Sequence, residues 1–271
     1  MRINHDGVNA LKKVLSKELW NVFQRSCART VFGLTYMDAI TGYMTKRMPG
    51  MDRIRAVRST VSQQGSGTSA TEVYTADRST LRGILLSGIE DHVHFGKEFI
   101  RYEKTGKGVK AYYTGGHVEE GDILVGTDGV YSRTRRQYLP DHTPCDMDAR
   151  SIYGKTLITP ALLERFNKDA TEWTTLIMDN KKVFLTLEMI RLPEDPAIVL
   201  PGILASVKDC VYWVLGTRSS GLPPDAELFF LTPQQTATLT LNITEDWHPS
   251  IRSLLELQQS DRTSVVRITS G

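Results

Sequence analysis

The stretch Gly121-Asp122-Ile123-Leu124-Val125-Gly126-Thr127-Asp128-Gly129-Val130-Tyr131-Ser132-Arg133-Thr134-Arg135 decides how the rest of the chain is read. Ile123-Leu124-Val125 is a continuous apolar run between turn residues, the pattern of a strand buried on both faces. Gly126 and Gly129 bracket a turn, and Ser132 opens a helix start. Asp128 then falls at the carboxyl end of a strand, where α/β sheets bind ligands. A carboxylate there can accept a hydrogen bond from a ribose hydroxyl, and Gly129 lacks the Cβ that would block close backbone approach. The competing reading is local: Asp is a common helix cap, and Asp128 caps the next helix. Spacing alone leaves both open.

Upstream, Val109 to Tyr113 and Gly116 to Glu119 alternate around Thr114-Gly115-Gly116 and predict a β-hairpin. Phe99-Ile100-Arg101-Tyr102 and His92-Val93-His94-Phe95 read as further strand pieces. Glu72 to Thr75 reads as a short strand, and Asp77 as the N-cap of a helix with Leu81, Ile84, Leu85 and Ile89 on its buried stripe. Arg47 to Ala70 is rich in Gly, Ser, Gln and Arg and reads as a loop with a short β-ribbon. Val8 to Phe23 predicts one amphipathic helix, entered through Asp6-Gly7, with Leu11, Val14, Leu15, Leu19 and Val22 on its stripe.

Downstream of Asp148 strands follow strands: Ile152 to Thr159, Trp173 to Met178, Lys182 to Met189 and Val211 to Leu215. Helical pattern is confined to Pro160–Phe166 and Pro249–Leu257. The expected class is therefore α/β followed by a largely antiparallel sheet, with a second domain beginning beyond Asp148.

Composition bounds the function. The 271 residues are 40% hydrophobic and 24% charged, and 33 Lys+Arg against 31 Asp+Glu leave a net charge of +2. Such a balance does not mark a nucleic-acid binder. Cys27, Cys145 and Cys210 are widely spaced with no CxxC pair, which argues against a disulfide framework or zinc site and for a reducing compartment. The start of the chain has no apolar signal region and no stretch approaches a membrane span, so a cytoplasmic protein is expected.

The Gly121–Arg135 segment resembles the G-D-x-L-V-G-A-D-G-x-x-S-x-x-R motif of the FAD-dependent aromatic hydroxylases, the group A flavoprotein monooxygenases, with Thr127 where Ala is usual. The likeness implies that Asp128 and Gly129 contact FAD near the route taken by NAD(P)H, and that Arg135 orients the local loop. Asp77-Arg78-Ser79-Thr80-Leu81-Arg82 is similar to the family's R-x-x-L segment, which implies that Arg78, before Arg82, lies beside the ribityl and phosphate region. Arg suits that task because its charge is permanent and its donor fork spans two oxygens. Asp6-Gly7-Val8-Asn9-Ala10-Leu11 resembles a D-G-x-x-A-L helix start, and Trp247 to Leu255 a late helix of the substrate domain, so the likeness runs over most of the chain.

The implied fold is that of para-hydroxybenzoate hydroxylase, with 1–150 a partial FAD-binding domain and 151–271 the substrate-binding domain. The implied activity is NAD(P)H- and O2-dependent oxidation of a small organic substrate, aromatic or polyketide-like. The flavin carries that chemistry and the protein binds and shields it, so no side chain is singled out as catalytic. Against the family pattern, the G-x-G-x-x-G unit that cradles the FAD pyrophosphate and the later G-D-A-x-H segment are both missing, and the chain reads as a copy truncated at both ends with FAD binding weakened or lost. The alternative reading is a non-catalytic remnant or binding module that no longer holds FAD. Gly65-Ser66-Gly67-Thr68-Ser69-Ala70 spells G-x-G-x-x-A, but no apolar strand precedes it. His92 and His94 have metal-pair spacing without a third ligand, and no metal is expected. Trp173, Trp213 and Tyr212 are candidates for an aromatic pocket, with core packing the default for such residues.

Overall fold

A computed structural model describes residues 1–30, 33–49 and 72–270. Gly65–Ala70 and most of the Gly/Ser-rich stretch after Arg47 lie outside the described residues. By packing the chain divides into two compact units, residues 1–87 with 148–267 and residues 88–147 with 268–271. This division is one of packing, and the expected domains, residues 1–150 and 151–271, differ from it in their bounds.

In the first unit, β1 (Arg2–Ile3) leads into α1 (His5–Val14) and α2 (Lys17–Ser26). The single helix expected over Val8–Phe23 is broken because the Ser16 side chain accepts from the Leu19 amide, capping a second helix, while Val14 is 71% exposed and falls off the apolar stripe. The cap of α1 is Asn4, which accepts from Gly7 N at 2.9 Å, rather than Asp6-Gly7. Next come β2 (Ala28–Arg29), β3 (Gly33–Asp38), β4 (Met44–Pro49), β5 (Tyr74–Thr75) and α3 (Arg78–Leu86). Leu81 and Ile84 of α3 are buried with Val8, Leu11, Phe23 and Tyr74, whereas Leu85 and Ile89 are exposed.

The second unit carries β6 (Phe99–Lys104), β7 (Val109–Tyr113) and β8 (Val118–Gly121), paired antiparallel in that order, and then α4 (Arg133–Tyr138). The hairpin around Thr114-Gly115-Gly116 forms as expected, with positive φ at both glycines. Two expectations fail in this region. Glu90–His92 is a 3-10 turn and the residues after it are not a strand. Ile123-Leu124-Val125 is not a strand either, and Ile123 and Val125 are 82% and 74% exposed. An interior strand needs a hydrogen-bonded neighbour on each side, and among the described residues none pairs with this run.

The chain then enters β9 (Cys145–Leu157), α5 (Pro160–Arg165), β10 (Thr174–Met178), β11 (Phe184–Ile190), α6 (Pro196–Val199) and β12 (Cys210–Arg218). It closes with α7 (Asp225–Leu228), α8 (Pro233–Ile243), α9 (Pro249–Glu256) and β13 (Ser264–Ser270). The helices α6, α7 and α8 interrupt what reads in sequence as unbroken strand and loop. The large sheet runs β13-β9-β12-β11-β10-β3-β4, with β10 and β3 parallel and β9, β12, β11 and β10 successively antiparallel. Strand alternation sends Ile152, Leu185, Leu187, Val211, Trp213 and Leu215 to one face, where Trp247, Ile251, Leu254 and Leu255 cover them. Gly154, opposite Trp213, leaves room for the indole: a Cβ there would sit 2.1 Å from Trp213 Cζ2.

Candidate functional site

The same alternation puts Tyr153 and Lys155 of β9, with Cys210 and Tyr212 of β12, on the other face of the sheet. Against them lies the start of α3, and together they line a cavity of about 540 Å³. Its remaining wall is largely apolar, with Ala76, Ile190, Leu192, Val207 and Val266. This size suits a small ligand, since such pockets run to roughly 300–1,000 Å³.

Arg78 stands at the first position of α3 and lines the cavity. Its side chain is exposed and forms no ion pair or hydrogen bond with a described residue. Asp77 beside it has both carboxylate oxygens engaged. Oδ1 accepts from the Ser79 and Thr80 amides at 2.9 and 3.3 Å, and Oδ2 accepts from Lys155 Nζ at 2.8 Å. Burial works against ionising Asp77, but the hydrogen bond and charge of Lys155, with the two amides, outweigh it and lower its pKa. Lys155 thereby ties the cap of α3 to β9. An ammonium has three protons, so two remain for other acceptors. Burial pushes the Tyr212 phenol up to about 12, with the neighbouring Tyr153 adding to it, so Tyr212 is a hydrogen-bond donor at neutral pH. The two rings lie 6.2 Å apart.

Asp128 and Gly129 lie in the second unit. Asp128 Oδ1 accepts from the Ser132 hydroxyl at 2.5 Å, and Oδ2 from the Thr134 amide and hydroxyl at 3.1 and 3.3 Å. These bonds, led by that of Ser132, hold its pKa down to about 2. Ser132 in turn accepts from Arg135 N at 2.8 Å, so the two side chains cap α4 between them. The carboxylate is exposed, so its unused lone pairs face solvent. Gly129 has φ +74°, and a Cβ there would have no neighbour within 4 Å. Its glycine is required by the backbone conformation, and the open space beside it admits close approach.

Other candidates resolve by burial and partner. Trp213 is fully buried in the core with Nε1 donating to Thr156 Oγ1, and Trp173 packs over Gly33 beneath Arg47. Of the three pocket candidates only Tyr212 lines the cavity. Tyr153 and Lys155, which sequence reasoning passed over, stand on the face shared with Tyr212; the period-two pattern of Ile152 to Thr156 was the signal that would have found them. Arg135 forms no side-chain bond with a described residue, and its buried Nε is unsatisfied, so loop orientation there falls to Asp128 and Ser132 instead. Among the described residues no cluster of three His, Cys, Asp or Glu is placed to hold a metal, and no helix is long and apolar enough to cross a membrane.

No family model matches the chain. It is 35% identical, over its whole length, to the dual O-methyltransferase/FAD-dependent monooxygenase elcB of Phaeosphaeria nodorum, covering 31% of that protein. It is 31% identical to CTB3 of Cercospora beticola, of the same description, covering 32% of it. Over 62% of its length it is 26% identical to the FAD-dependent urate hydroxylase of Klebsiella oxytoca, covering 43% of that enzyme. The chain thus spans about a third of the length of the first curated relatives it matches. Among solved structures, an FAD-containing monooxygenase from Photorhabdus luminescens superposes with a TM-score of 0.78 at 21% identity, over 100% of this chain and 65% of that one. Klebsiella pneumoniae HpxO, solved with FAD and uric acid, gives 0.69 at 16% identity, over 99% and 58%. By sequence the chain's relatives are therefore FAD-dependent monooxygenases, the first two of them also O-methyltransferases, its fold is shared with solved FAD-containing monooxygenases, and it matches one part of them.

Proposed function

We propose that this chain provides part of the FAD- and substrate-binding surface of a monooxygenase that oxidises a small aromatic or polyketide-like compound with NAD(P)H and dioxygen. In this reading residues 1–150 serve FAD, through Arg78, Asp128 and Gly129, and residues 151–271 serve the substrate. The observation that carries it is Arg78: an exposed guanidinium at a helix start, lining a ligand-sized cavity, with no partner among the described residues. A cation so placed suits an anionic or polyhydroxylated group such as the phosphate and ribityl chain of FAD. The positive φ and open flank of Gly129 fit close approach of a cofactor, and the exposed Asp128 has lone pairs left to accept from a hydroxyl. FAD, when bound, supplies the redox chemistry. Lys155 and Asp77 hold the start of α3 against β9, and the apolar wall of the cavity keeps water from a bound ring.

The chain by itself binds FAD weakly in this reading, since among the described residues no glycine-bracketed strand–turn–helix supplies amides to a pyrophosphate. Titration of FAD into the 271-residue chain, followed by calorimetry and flavin fluorescence, tests both points. Micromolar to millimolar binding is expected, weakened about tenfold by Arg78→Met, the worth of one charged hydrogen bond, with the melting temperature unchanged. Wild-type chain that ignores millimolar FAD, or Arg78→Met that binds it equally well, overturns the proposal.

A further inference from the structure

Residues Asp122 to Thr127 have the alternation of a strand and none of its partners. Asp122, Leu124 and Gly126 line a cavity within the second unit, whereas Ile123 and Val125 between them are 82% and 74% exposed. Among the described residues no hydrogen bond reaches the backbone from Asp122 to Thr127. Every residue of this run except Leu124 is exposed, so its amides and carbonyls are open to another chain. An exposed apolar edge of this kind is a template for strand pairing. Elsewhere in the same unit α4 guards the edge of β6, where the Gln137 side chain accepts from Tyr102 N and donates to Tyr102 O. Among the described residues no side chain does the same for Asp122–Thr127.

The order of the residues points to the occupant. Antiparallel pairing of the run with a second copy, centred on Leu124, sets Asp122 opposite Gly126 and Ile123 opposite Val125. Each β-branched side chain then meets another, and the only charge meets a glycine, so the run is complementary to itself. In-register parallel pairing instead sets Asp122 against Asp122, like charges that repel. A twofold arrangement of this sort closes at two copies. We propose that this run is the interface of a weak homodimer, an antiparallel ribbon across a twofold axis at Leu124. So short a ribbon buries less than a standard interface, so dimer and monomer exchange. The pairing is independent of the function proposed above.

Sedimentation equilibrium of the full chain over about 5–300 μM, where so small an interface dissociates, should show monomer and dimer alone. Ile123→Lys with Val125→Lys sets like charges opposite one another across the axis and should weaken the dimer about tenfold or more. Ile123→Lys with Val125→Glu sets a lysine opposite a glutamate twice. That variant should associate about fivefold more tightly than the double lysine at low salt, and about 0.5 M NaCl should erase the gain. Parallel pairing, with lysine facing lysine, gives no such gain. In the wild type, amide exchange between Asp122 and Gly126 should slow as concentration rises, a test that needs no variant. Both substituted positions are exposed, and circular dichroism checks that each variant is folded. Monomer throughout, assemblies beyond the dimer, exchange indifferent to concentration, a double lysine that dimerises as the wild type does, or a Lys–Glu variant no tighter than the double lysine overturns the inference.

Discussion

At Asp128 one carboxylate is shared among three donors of a single short turn, so its protonation and the integrity of α4 are linked. Its pKa is depressed to about 2, chiefly by Ser132. The contribution is therefore complete above the ordinary carboxylate range and is lost as pH falls towards about 2. The group is exposed, so the stake is small, below about 1 kcal/mol. Asp128→Asn should accordingly speed amide exchange at Thr134 and Arg135 at neutral pH, and the difference from wild type should vanish near the depressed pKa. Unchanged exchange at those amides would show that the turn holds without the charge. Sequence reasoning offered Asp128 both as ligand contact and as helix cap, and the cap is realised. Spacing could not decide because both roles ask for the same residue at the same point. It was the lone pairs left over, visible only in the fold, that keep the second role open.

Among elements, those whose pattern follows a single period were legible: the β7–β8 hairpin, strands β9 to β12 and the helices α3, α5 and α9. Helix α8 was not, because Thr238-Leu239-Thr240-Leu241 alternates as a strand does and threonine is a poor helix former. A capping box did announce it, Thr232 with Gln235, followed by Pro at the first helical position. The Ser16 cap likewise gave notice of the break between α1 and α2, but an apolar stripe running across it masked the signal. In the sheet, Gly154 marks an element-scale constraint that no motif conveys. A Cβ placed 2.1 Å from the Trp213 ring must move the indole, which is fully buried and tied to Thr156. Gly154→Ala should cost about 1–3 kcal/mol, the usual range for overpacking, read as a lower urea midpoint with unchanged slope. A cost under half that range would mean that the indole shifts freely.

For the molecule as a whole, the largest departure from sequence expectation is the exposed run at Ile123 and Val125. The pattern correctly reports residues suited to a sheet interior, but which strands flank them is a property of topology, and the described residues offer no neighbour. Apolar side chains left in water favour association over instability. Ile123→Lys with Val125→Lys should leave the melting temperature within the small range of surface changes, about 0.5 kcal/mol, while raising the concentration at which the chain stays monomeric in sedimentation. A marked loss of stability would instead place the run in the core. The thiols give a second global test. Cys145 is exposed, whereas Cys27 and Cys210 are buried, and burial raises both of their pKa values, that of Cys27 to about 12. A thiol reagent should label Cys145 alone until denaturant is added, and early labelling of either buried thiol would contradict the packing.

The large sheet sets Leu34 beside Thr174 and Asp38 beside Met178, parallel strands from opposite halves of the chain. Synthesis delivers β3 and β4 long before β10 exists. Their hairpin must wait, with one edge unsatisfied, until the second half has left the ribosome. Closure of so long a loop is slow for entropic reasons, and the open edge invites wrong partners in the interval. The yield of folded chain should therefore depend on elongation speed and on chaperones that shield the nascent edge, more than on the stability of the finished sheet.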